Sequence, residues 1–129
     1  MTAADRPEDV VEQFRLAETL ISERRPLEAL RELRPVLDAE PDAPSVQLLA
    51  GRAYLQSAQL RRAEEAFRRV LEHHPSDHYA RFVLGRTLQR QSRLAEARAQ
   101  LALAAAMNPT AEYQEALNEV RMRLAARAD

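Results

Sequence analysis

The sequence predicts an all-α fold built by repetition, and three observations carry that prediction. Ala, Leu, Arg, Glu and Gln, the strong helix formers, dominate the 129 residues, whereas only two glycines and seven prolines occur. Pro41, Pro75 and Pro109 are each separated by one period of 34 residues. Six further columns keep the same step: Leu16, Ala50, Leu84; Ala17, Gly51, Gly85; Leu20, Tyr54, Leu88; Ala29, Ala63, Ala97; Leu33, Phe67, Leu101; and Val36, Val70, Ala104. Within each period the apolar residues recur at intervals of three and four, the spacing of one helix face.

The elements follow in chain order. Asp9 and Glu12 have capping-box spacing, so the first helix is expected to begin near Asp9 and residues 1–8 to form a flexible arm. The second helix of this period contains Pro35, which lacks an amide hydrogen and is expected to bend or loosen it. In the second period Val46, Ala50, Ala53, Tyr54 and Ser57 mark a helix from Pro44 to Ser57. A polar turn at Ala58-Gln59 follows, and Ala63, Ala66, Phe67, Val70 and Leu71 mark a second helix from Leu60 to His73. Proline then ends the pair, since it can neither donate nor fit against the preceding turn. The small residues Gly51 and Ala63 are expected to let the two backbones approach, as are Ala17 with Ala29 and Gly85 with Ala97. After Pro109, Tyr113, Ala116, Leu117, Val120 and Leu124 share a face over 110–127, a helix suited to cap the last open apolar surface. About seven helices result, in one domain spanning 9–127.

Composition removes several functions. There is no cysteine, hence no disulfide or thiolate chemistry, and two glycines are too few for a phosphate-binding loop. A formal net charge of −1, with 19 basic residues that are all arginine against 20 acidic ones, argues against nucleic acid as partner. No apolar run is long enough to span a membrane, and the N-terminus lacks the pattern of a secretory signal; a cytoplasmic protein is expected. His73, His74 and His78 are the only histidines, but Pro75 breaks the helix among them, so neither a metal nor any other cofactor is expected. Acids interleave with Arg61, Arg62, Arg68 and Arg69, a pattern of paired surface charge at helical spacing.

The small residues at the eighth and twentieth positions of each period, the aromatic or leucine at the eleventh and twenty-fourth, and the proline at the thirty-second resemble the tetratricopeptide repeat. On that resemblance the repeats are 10–43, 44–77 and 78–111. The tryptophan frequent at the fourth position is replaced by Gln13, Gln47 and Arg81. The resemblance implies a right-handed α-solenoid whose first helices line a concave groove for a peptide or helix of another protein, and no catalysis.

Carried over residue by residue, the implied groove contains Phe14, Glu18, Leu48, Arg52, Leu55, Tyr79, Phe82, Arg86 and Arg90, and Arg15 adds a further cation. Leu48, Arg52 and Leu55 share a helix face by spacing alone. The apolar members can serve either as ligand surface or as packing between first helices. The arginine excess favours an acidic, partly apolar ligand, the alternative being pairing with neighbouring glutamates. The family's lysine and asparagine clamp for chaperone tails is not reproduced, because Phe14, Glu18 and Leu49 stand at its positions. The sequence therefore predicts a protein-interaction adaptor, with a self-associating homo-oligomer or scaffold as the alternative.

Overall fold

The computed structural model describes residues 7–128, and these form seven α-helices: α1 (Pro7–Ser22), α2 (Pro26–Ala39), α3 (Pro44–Gln56), α4 (Leu60–His73), α5 (His78–Arg90), α6 (Leu94–Met107) and α7 (Ala111–Ala128). Successive helices pack in antiparallel hairpins, α1 with α2, α3 with α4 and α5 with α6, and α7 closes the end against α6. First helices also touch first helices along the stack, whereas the backbones of α2, α4 and α6 stay apart. The stack therefore curves with its first helices inside and its second helices splayed outside.

The columns of the 34-residue period form the core. Ala29, Ala63, Ala97, Leu33, Phe67 and Leu101 are fully buried, as are Ala17, Ala50, Leu84 and Leu88. Leu16, in the first described helix, breaks its column at 45% exposed. The glycines do more than let the backbones approach. A Cβ on Gly51 would clash with the ring of Phe67, and one on Gly85 would lie 2.7 Å from the Leu101 side chain and 3.4 Å from the Leu101 amide nitrogen. Each glycine is thus a recess for the bulky residue four positions beyond the paired alanine.

α1 begins at Pro7, so Asp9 lies inside its first turn and is not the cap. The rest of the expected N-terminal arm, residues 1–6, lies outside the described residues. Pro35 is accommodated within a continuous α2, whose end carries the same cap bond, Glu40 N–H to the Val36 carbonyl, that His74 makes to Val70 and Asn108 to Ala104. The carbonyl that Pro35 leaves without its amide belongs to the exposed Arg31, where water can reach it.

Each hairpin turn depends on a residue other than glycine in the left-handed region. Arg24, Ala58 and Ser92, again one period apart, have φ near +60°. The amide following each one bonds back to Leu20, Tyr54 or Leu88, closing a left-handed helix end usually assigned to glycine. The fourth-position residues have a role as well. Gln47 donates to the Pro41 carbonyl and Arg81 to that of Pro75, at 2.7 Å for the arginine, fastening each first helix to the turn before it.

Candidate partner-binding groove

The inner face is built from α1, α3 and α5, with α7 at its C-terminal end. One period apart, Phe14, Leu48 and Phe82 form a row along it. Phe14 and Leu48 are half-buried, whereas Phe82 is nearly covered because Tyr113 of α7 stacks on it at 4.3 Å with ring planes 9° apart. Packing is thus the dominant role of Phe82, and Tyr79 and Leu48 likewise lean on the core. Burial pushes the Tyr113 hydroxyl up from its ordinary pKa, so it stays protonated, 3.0 Å from Nδ1 of His78. His73 faces Asp42 instead, at 3.8 Å, so the histidines do not converge.

Four of the expected residues meet in one cleft of about 500 Å³: Leu55, Phe82, Arg86 and Arg90. The structure adds Glu119 and Arg123 from α7 to its walls. Arg123 continues the column of Leu55 and Gln89, so the 34-residue spacing carries the groove onto the capping helix. Arg86 donates to Glu119 at 3.2 Å and to Gln89 at 3.0 Å, with its guanidinium 6.0 Å from the Phe82 ring centre. Arg90 donates to the Leu55 carbonyl at 2.8 Å, and Gln56 makes the equivalent bond to Ile21 at 3.0 Å. These side chains satisfy carbonyls at the end of the preceding first helix, a structural role, while leaving the other guanidinium nitrogens of Arg90 exposed.

Arg52 lies farther along the inner face, half-exposed and without an ion pair among the described residues, and Glu18 is exposed one period before it. Arg15 stands one residue beyond Phe14; its counterparts Leu49 and Val83 are buried between hairpins, whereas Arg15, in the first described helix, is exposed.

Residues 14–57 and 48–115 match the sequence pattern of the tetratricopeptide repeat. The chain belongs to the tetratricopeptide repeat family. That family is one of non-catalytic interaction modules. No curated protein is similar in sequence. Among solved structures, the first tetratricopeptide domain of Spaghetti bound to an HSP90 peptide, SRMEEVD, superposes with a TM-score of 0.85 at 17% identity, covering 93% of this chain and 96% of that one. The Sgt2 domain from Aspergillus fumigatus gives 0.86 at 14% identity, over 95% and 83% of the two chains. The type III secretion chaperone SycD of Yersinia enterocolitica, in complex with a peptide of the translocator YopD, gives 0.81 at 13% identity, over 92% and 96%. At these identities the likeness is one of fold. No helix among the described residues of this tetratricopeptide repeat protein is long and apolar enough to cross a membrane.

Proposed function

We propose that this tetratricopeptide repeat protein is a non-catalytic adaptor of the cytoplasm that holds an acidic, partly apolar peptide or helix of a partner protein in its inner groove. The observation that carries the reading is the cleft at the α3, α5 and α7 end, where three guanidinium groups, Arg86, Arg90 and Arg123, surround an apolar floor of Leu55 and Phe82 against one carboxylate, Glu119. Guanidinium forks are matched to carboxylates, and the apolar floor rewards a bulky side chain beside them. Arg52 extends the positive line toward α1. Peptide complexes of the Spaghetti domain and of SycD support the use of this fold as a peptide receptor.

The double variant Arg52→Glu, Arg86→Glu tests it. Partner capture from the native cell should be lost while helical circular dichroism is unchanged; retained capture rejects the groove. Light scattering decides against the self-associating alternative if the protein stays monomeric as concentration rises.

A further inference from the structure

The outer face carries a second recess that the groove does not use. Because the backbones of α2 and α4 stay apart, a cleft of about 460 Å³ opens between them, walled by Leu27, Leu30, Leu37 and Tyr54. Leu27 is 63% exposed, more than any other large apolar residue in the three hairpins. Arg34 and Arg62 flank the cleft against a single acid, Asp38. Neither arginine forms an ion pair among the described residues, and Arg62 donates to the neutral amide of Gln59 at 2.8 Å.

The repeat itself shows what is missing. One period on, the gap between α4 and α6 has the same register and different chemistry. Glu64 stands there in the place of Leu30, and it receives Arg68 at 2.9 Å, Arg93 at 2.6 Å and Gln91 at 3.1 Å. Arg68 is the counterpart of Arg34. The α2/α4 gap has therefore kept the cation, lost its carboxylate and gained an apolar floor in the carboxylate's place.

We propose that the α2/α4 cleft is a second docking site, taking an acidic, apolar peptide segment of a partner protein. A bulky side chain of that segment packs over Leu30, Leu37 and Tyr54, and its carboxylate completes Arg34 and Arg62 as Glu64 completes Arg68. Charge complementarity selects this occupant: a neutral apolar segment would leave two guanidinium groups beside newly dried surface with Asp38 as their one counter-charge. The site stands on the opposite face from the groove and does not depend on it.

The full chain, labelled with nitrogen-15, is titrated with the probe acetyl-Glu-Leu-Leu-Glu-Glu-Leu-amide at millimolar concentration, beside the same peptide with Gln for each Glu. Saturable shifts are expected at the amides of Leu30, Arg34, Tyr54 and Arg62, with the Gln peptide weaker by about tenfold. Leu30→Glu installs the carboxylate of the neighbouring gap and should abolish those shifts with helical content intact. Arg34→Glu, which leaves the apolar floor untouched, should weaken binding by about tenfold as well. Arg52→Glu with Arg86→Glu should leave the cleft titration unchanged, so failure of the groove and failure of this site are read separately. The proposal is overturned by the absence of shifts at the cleft, by equal binding of the Gln peptide, or by binding that survives in Leu30→Glu. It is also overturned if cleft shifts grow with protein concentration before any peptide is added, since the occupant is then a second copy of the chain.

Discussion

The two gaps on the outer face, α2 to α4 and α4 to α6, occupy the same register one period apart and have been filled in opposite ways. Between α4 and α6, Glu64 is tied to Arg68, Arg93 and Gln91, and Glu96 of α6 receives Arg93 at 2.6 Å and lies 3.7 Å from Arg68. Between α2 and α4 the corresponding positions hold Leu30, Arg34, Gln59 and Arg62; both gaps keep a cleft, about 460 Å³ here and about 410 Å³ between α4 and α6, but only the first has apolar walls. Beneath both gaps the hairpin cores are alike in plan, with the same buried alanine column and a bulky residue, Leu33, Phe67 or Leu101, packed against the small residue Ala17, Gly51 or Gly85. The backbone is therefore set by buried columns that tolerate little change, while the outer positions between them are free to become either a charged clasp or an apolar recess.

The cores beneath the gaps offer the sharpest test of that division. Gly51→Ala drives a methyl against the Phe67 ring and should cost about 1–3 kcal/mol, visible as a lowered melting temperature. Gly85→Ala, against the more adaptable Leu101 side chain, should cost less. Full tolerance of both would mean that the buried columns are as free to change as the gap positions.

Removing the clasp comes next. Glu64→Gln leaves Arg68 and Arg93 without their half-buried carboxylate and should cost about 1–2 kcal/mol in chemical denaturation. The same residue sets an acid dependence. Burial alone would raise the Glu64 carboxyl, but the bonds from Gln91, Arg93 and Arg68 outweigh burial and hold its pKa below the ordinary 4.5. A depressed native pKa means stability that is fully present above about 4.5 and lost as pH falls through the native value. Wild type should therefore lose more stability than Glu64→Gln between about pH 5 and pH 3, and parallel curves would show that the clasp contributes nothing.

The smallest effect concerns the turns that both gaps share. Ala58 sits at φ 60°, where glycine is not strained, so Ala58→Gly should stabilise by about 0.5–1 kcal/mol despite the added freedom of the unfolded chain. A destabilised variant would show that the unfolded state dominates at this turn.

Much of the fold was legible because periodicity and burial are the same signal. Ala63, Phe67 and Val70 can recur at fixed spacing only if each faces the same kind of neighbour. The α1 start was misplaced at Asp9 because a capping box is a local pattern, and helix continuation through Pro7 costs nothing at a first turn where the amide has no partner. The turn at Ala58 was legible from the break between two apolar faces, but its left-handed backbone, shared by Arg24 and Ser92, was not, since such a turn normally announces itself by glycine. In the groove, Leu55, Phe82, Arg86 and Arg90 do meet, but the parts taken by Arg15 and Phe82 depended on neighbours that spacing cannot see. Arg15 is exposed where its counterparts Leu49 and Val83 are buried between hairpins, and Phe82 has Tyr113 laid across it.

By itself the sequence determined the period, the hairpin architecture, the membership of each core column and the order of the helices, because a 34-residue register of small, bulky and helix-ending residues leaves few ways to bury its apolar surface. Only the tertiary structure decided which polar residues at equivalent positions find partners. Glu64 and Leu30 hold the same place in the repeat, yet whether a carboxylate there gathers two arginines, or a leucine there leaves one uncompensated, depends on distances between helices that never touch along their backbones.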